Sequence, residues 1–299
     1  MAAMVHETPV VFPSQGVPLV GRLFRPTASL DERRPIVIVA GSWLTVKEQM
    51  ATTYARRLAD AGYAAFVFDF TGFGASQGEP RQAEIPARKI ADIGAAAAFL
   101  RTLAFVDGDR IGAVAICASA QYTLAALAGG APIRSWASVA GWFHDPASVA
   151  PFYGGGPGVA ARLARAHDAL ERYAATRETL IAPAYAPGDE RAGMHFELDY
   201  YAQPSRGAIP AWPNTMAEMT WFYWLAFDGL APAGAVTAPS LFVHADGCVF
   251  PDHVRRVHAR VQGPKSLVWA SGTQIDFYDQ PAQVDAAMAA ITAWFAESL

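Results

Sequence analysis

The sequence predicts an α/β protein built on a mostly parallel, doubly wound sheet. Three observations carry that prediction. Apolar runs of strand length recur along the 299 residues. Segments of helical spacing alternate with them, as a parallel sheet requires. One strand also runs straight into a cysteine-bearing turn that opens a helix.

In chain order, Val17 to Phe24 reads as an early strand paired with Val10 to Phe12. Pro35 to Ala40 is continuously apolar, as expected of a strand buried on both faces. Lys47 to Ala61 has helical spacing and stops at Gly62. Ala64 to Phe70 is the next buried strand. Ile85 to Leu103 is a helix that carries Pro86 in its first turn, where no backbone N–H is needed. Arg110 to Ile116 is a strand followed by Cys117-Ala118-Ser119-Ala120 and a helix from about Gln121. Ser135 to Trp142, Ser240 to Ala245 and Ser266 to Ala270 are further strands, and Gln280 to Phe295 is a closing helix.

Between residues 143 and 237 the rhythm breaks. This stretch holds Gly154-Gly155-Gly156-Pro157, a helix-like segment near Val159 to Thr179, and many aromatic residues. It is expected to form a cap inserted into a core made of residues 1–142 and 238–299. Such a cap would lie over the C-terminal edge of the sheet, where ligands bind in open α/β folds. Trp142, Trp221, Tyr200, Tyr201, Phe152 and Trp224 are among the aromatics of this stretch and its edges. They suggest an apolar pocket, with Trp142 and Trp221 as substrate contacts.

The bulk properties exclude several classes. A net charge of −4 without a basic cluster argues against nucleic acid as a partner. No apolar run reaches membrane-spanning length, and Met1 to Pro13 has no basic segment leading into an apolar one. A soluble, cytoplasmic protein is the expectation. Two cysteines are too few for a disulfide scaffold. The histidines and cysteines lack metal-ligand spacing, so no metal or other cofactor is expected.

The chemistry centres on Cys117. Ala115 and Ser119 flank it as small residues on a strand-to-helix turn. Such a turn lifts a nucleophile to the top of a sheet, at a helix N-terminus that favours negative charge. Asp69 to Ser76, rich in glycine, forms a second loop after a strand.

Taken together, these motifs resemble the α/β-hydrolase superfamily over nearly the whole chain. Val46-Lys47-Glu48-Gln49, Gly78-Glu79-Pro80-Arg81, Val106-Asp107, Ile116-Cys117-Ala118-Ser119 and Asp276-Phe277-Tyr278-Asp279 look like its dienelactone-hydrolase-related branch. That branch includes acyltransferases and thiohydrolases acting on polyketides, so the resemblance implies a place in natural-product biosynthesis. It implies an α/β-hydrolase fold with Cys117 as nucleophile. The N–H groups of Ala118 and Trp43 would form the oxyanion hole.

The chain departs from that pattern where the base and acid belong. Aligned on Asp276-Phe277-Tyr278-Asp279, the histidine position holds Gln274, and no histidine follows His258. Glutamine can orient water or a carbonyl but cannot take a proton at neutral pH. The acid position holds Cys248, and Asp246 two residues earlier could turn in. His244, which ends one strand, and His144, which follows another, could face the site as substitute bases or substrate contacts; His195 lies in the expected cap.

The resulting expectation is a cysteine enzyme acting on an apolar small-molecule or carrier-bound acyl group. Acyl transfer, cyclisation or hydrolysis of a thioester fits best, because a thiolate leaves without protonation. The alternatives are an isomerase, cyclase or lyase reusing the pocket, and a binding protein without turnover.

Overall fold

A computed structural model describes residues 5–27 and 32–299; the first residues of the 1–13 segment lie outside them. In chain order the elements are β1 (Val5–Ser14), β2 (Val17–Pro26), β3 (Arg34–Ala40), α1 (Met50–Asp60), β4 (Ala64–Phe68), α2 (Pro86–Leu100), β5 (Val106–Ile116), α3 (Ser119–Ala128) and β6 (Ser135–Val139). There follow α4 (Pro146–Val149), α5 (Gly155–Thr176), β7 (Ile181–Pro183), α6 (Asp199–Ala202), β8 (Thr215–Ala217) and α7 (Thr220–Ala226). Then come β9 (Ser240–His244), α8 (Pro251–Arg260), β10 (Lys265–Trp269), α9 (Asp276–Asp279) and α10 (Pro281–Ser298).

Eight strands form the main sheet in the order β1-β2-β4-β3-β5-β6-β9-β10. β1 pairs antiparallel with β2, and β2 antiparallel with β4; every later pair is parallel. The central strands β3, β4 and β6 are buried along most or all of their length, which is why they read as unbroken apolar runs. Because β3, β5, β6, β9 and β10 run parallel, the loops that follow them all emerge at one edge. Those loops carry Ser42 and Trp43, Cys117, Trp142, Val249 and Gln274 respectively.

Between β6 and β9, residues 143–237 form a layer of short helices around the long α5, with a two-stranded antiparallel sheet of β7 and β8. Its aromatics Tyr200, Trp221 and Trp224 join the same buried cluster as the strands, so the layer shares the core of the sheet. No helix among the described residues is long and apolar enough to cross a membrane.

Several boundaries differ from the sequence expectation for local reasons. The expected strand 135–142 stops at Val139, because Ala140 turns into the left-handed region at φ +44°. The helix expected from Lys47 begins at Met50. Before it, the Val46 N–H donates to the Gln49 side-chain oxygen (2.9 Å), and Lys47 is anchored to Asp69 through both its N–H (2.8 Å) and its ammonium (2.6 Å). Helix α8 was not anticipated, although Pro251 in its first turn and buried Val254 and Val257 mark it.

Candidate active site

Cys117 stands where β5 turns into α3. Its φ is +55°, a left-handed conformation that costs a non-glycine residue on the order of 1–3 kcal/mol. The surrounding backbone holds it there. Its N–H donates to Val139 O (3.1 Å), and its carbonyl accepts from Ala120 N–H (3.0 Å) and Trp142 N–H (2.9 Å). Ser119 donates its hydroxyl to Gly41 O, joining the turn to the loop after β3.

Four polar groups surround the Cys117 sulfur: the backbone N–H groups of Ala118 and Trp43, and the hydroxyls of Ser42 and Tyr278. Burial pushes the thiol pKa up, and these hydrogen bonds pull it down without cancelling that rise. The hydroxyls belong to a chain. Tyr201 donates to Ser42 Oγ (3.2 Å), and Ser42 Oγ shares a hydrogen bond with the Tyr278 hydroxyl (3.1 Å). Burial drives both tyrosines well above the usual phenol range, so they act as O–H donors and not as phenolate bases.

Gln274 closes this chain. Its Nε2 donates to Ala140 O (2.7 Å) and to the Tyr278 hydroxyl (3.3 Å), while its Oε1 accepts from Val249 N–H (3.2 Å). Gln274 and Tyr278 sit four residues apart, at the turn into α9. The amide therefore ties together three of the loops at the sheet edge and braces the hydroxyl beside the sulfur.

The thiol opens on a cavity of about 90 Å³ lined by Trp43, Trp142, Phe152, Tyr153, Met194, Phe196, Leu198, Trp224, Val249 and Ile275, with Gly193 against the Trp43 ring. Trp43 stacks on Trp224 with centroids 4.5 Å apart. Its polar members are Ser42, Cys117, Tyr153, Tyr201, Gln274 and Tyr278; no histidine or carboxylate is among the described lining residues. Ser42 and Tyr278 were not foreseen as site residues, and Tyr201 was foreseen only as a pocket aromatic. The adjacency of Ser42 to Trp43 and the i, i+4 spacing of Tyr278 from Gln274 were the signals available in the sequence.

Other expected site residues lie elsewhere. Asp246 does not turn in: its side chain is 76% exposed and pairs with Arg255 (3.2 Å), because the chain leaves β9 toward solvent there. Cys248 is buried outside the cavity lining, and burial pushes its thiol up to about 12. Both cysteines are free thiols. His144 is fully buried behind the wall, accepting from Trp142 Nε1 at Nδ1 (2.7 Å) and meeting Trp224 O at Nε2 (2.9 Å). This pairing makes it a neutral structural histidine, and burial lowers its pKa to about 4. His244 is also fully buried, faces the Trp269 ring and is lowered by burial to about 4. Neither histidine lines the cavity. Trp221 sits behind Trp43, edge-on at 5.9 Å, while Trp142 does line the cavity. His195 borders a separate surface groove with Arg162 and Glu190.

The mostly parallel sheet, the turn at Cys117 and the converging loops define an α/β-hydrolase fold. A sequence profile of the Dienelactone hydrolase family matches residues 19–154, a span that holds Trp43 and Cys117 and ends before Cys248 and Gln274. The chain is 29% identical over 270 residues to the uncharacterized protein YcjY of Escherichia coli strain K12, covering 85% of each. It is 26% identical over 295 residues to the uncharacterized protein PA2218 of Pseudomonas aeruginosa, covering 94% of this chain and 78% of that one. The crystal structure of PA2218 superposes with a TM-score of 0.86 at 23% identity, covering 99% of this chain and 94% of the other. A shorter match, 31% over 114 residues, runs to the polyketide transferase claH of Penicillium crustosum and covers 38% of this chain and 37% of that one. The chain thus has an α/β-hydrolase fold, and residues 19–154 are similar to the Dienelactone hydrolase family.

Proposed function

We propose that this protein is an acyl-transfer enzyme that uses Cys117 as a covalent nucleophile on an apolar acyl thioester. The observation that carries this reading is a single sulfur that borders an apolar cavity and is surrounded by two backbone N–H groups and two hydroxyls. When a thioester carbonyl approaches, the N–H groups of Ala118 and Trp43 are placed to receive its oxygen as negative charge develops there. The acyl chain takes the aromatic cavity.

The donor-only site selects the chemistry. A buried thiol with a raised pKa is protonated at neutral pH, and no lining side chain can hold its proton. The attacking species is the thiolate, and thiol–thioester exchange returns its proton to the leaving sulfur, so the step needs a proton relay and no net proton acceptor. The Cys117 sulfur bonds to the acyl carbon, the substrate C–S bond breaks, and the thiol proton passes to the departing sulfur. The hydroxyls of Tyr278 and Ser42 can carry that proton by accepting one and donating another. Water would need a base to attack the acyl-enzyme, so an incoming thiol or amine is favoured over hydrolysis. The transferase activity in the name of claH fits this direction.

A second reading has one observation in its favour. A site made of donors can polarise a carbonyl without covalent attack, which suits an isomerisation or cyclisation. Product analysis separates the two. Incubation with a medium-chain acyl thioester and a small thiol or amine should yield the transferred acyl product in excess of free acid. Cys117→Ala should lose that product. Undiminished turnover in Cys117→Ala would overturn the covalent reading.

A further inference from the structure

We infer that Glu84 is a positioning residue that locks the two halves of the oxyanion hole together, an inference that rests on the acyl-transfer reading above. Glu84 lies just before α2, outside the cavity, and is fully buried. One carboxylate oxygen accepts from the Tyr122 hydroxyl (2.8 Å), and Tyr122 stands on α3, the helix that opens beside Ala118. The other accepts from Leu44 N–H (3.2 Å) and from the Lys89 ammonium (2.7 Å). Leu44 directly follows Trp43. A single carboxylate thus grips both segments that present an N–H to the Cys117 sulfur.

Leu44 needs that grip. It is held at φ +57°, in the left-handed region that a branched side chain disfavours. Its N–H is fixed by Glu84 and its carbonyl by Trp212 Nε1 (2.8 Å), so the peptide after Trp43 is held from both ends. The Glu84 N–H donates to Thr220 Oγ1 (3.0 Å), which fixes the carboxylate's own backbone against α7.

The counter-ion is built in. Lys89 is 2% exposed, with its ammonium 4.6 Å from the centroid of Phe70, 4.4 Å from that of Phe73 and 5.7 Å from that of Tyr122. A wholly buried ion pair is a poor stability device, since well-packed apolar residues often replace one at no cost. Its value here is geometric: a charged acceptor can hold a neutral amide and a phenol at once.

The test compares two reactions of the same thiol. Acylation by a thioester develops an oxyanion, whereas alkylation by iodoacetamide does not. In the double variant Glu84→Gln, Lys89→Met, which removes the pair without leaving either charge unpaired, acylation of Cys117 should fall by about tenfold or more. Alkylation should fall clearly less than acylation, by about threefold at most, because the Ser42 and Tyr278 hydroxyls stay beside the sulfur when the two N–H groups shift. Tyr122→Phe, a smaller change suited to a fold the double variant might not retain, should lower acylation selectively by roughly threefold. A folded variant in which acylation is unchanged, or in which both reactions fall together, would overturn the positioning role. A wild-type protein that is alkylated but never acylated would instead overturn the acyl-transfer reading, and this inference with it.

Discussion

Removing the Tyr278 hydroxyl should make Cys117 a weaker acid and a slower nucleophile. In the wild type this hydroxyl meets the sulfur, Ser42 Oγ (3.1 Å) and Gln274 Nε2 (3.3 Å). In Tyr278→Phe, Gln274 keeps Ala140 O, and Ser42 keeps its donor Tyr201. The folded state should therefore lose only about 1–2 kcal/mol. The thiolate, by contrast, loses one hydrogen bond to a charged acceptor, worth roughly 1.5–3 kcal/mol, or about one to two pKa units. A more basic thiolate is also a better nucleophile, which returns nearly half of that loss. The net fall in alkylation rate at fixed pH should be roughly 3- to 10-fold. The assay is iodoacetamide labelling followed by intact-protein mass, from pH 7 to 9, in a Cys248→Ala background. Both proteins should show rates rising about tenfold per pH unit, since burial holds the wild-type thiol above its usual value. A wild-type plateau below pH 8, or superimposable profiles for the two proteins, would refute the account of the sulfur's surroundings.

Other perturbations probe the remaining parts of the site. Gln274→His places a proton acceptor beside Tyr278 and should raise release of free acid from the acyl-enzyme at least about tenfold, read by chromatography of the products. Asp246→Asn should leave turnover unchanged, because that carboxylate faces solvent and pairs with Arg255; a large loss would return Asp246 to the site. His244 binds its proton less readily folded than unfolded, with a pKa near 4 against the ordinary 6.5. Its contribution is present above pH 6.5 and is lost as pH falls toward 4. Urea unfolding should show that wild type loses roughly 3 kcal/mol more than His244→Leu between pH 7 and 4. Parallel losses would mean that His244 is protonated in the folded state.

Much of the fold was legible because burial leaves a direct mark on sequence. The strands at 35–40 and 64–68 are apolar throughout since both faces are covered, and the turn at Cys117 is flagged by its small neighbours. The strand-to-helix turn that carries Cys117 and Ala118 follows from that local pattern, whereas Trp43 was reached through the family resemblance. What escaped was long-range. Tyr201 reaches Ser42 across 159 residues, and Tyr278 reaches it across 236, so no local spacing records either contact. The histidines at 144 and 244 lay at strand ends that point to the correct edge. Which way a side chain turns after a strand depends on the loop that follows, and here both turn into protein. Asp246 illustrates the converse, a carboxylate two residues from a triad position that the chain directs into solvent.

The central claim is that Cys117 carries the acyl group. Brief mixing with an acyl thioester, acid quenching and peptide mass analysis test it directly. The account predicts the acyl mass on the peptide containing Cys117, formed as fast as turnover and absent from Cys117→Ala. Steady turnover with no acylated Cys117 at any time point would contradict it.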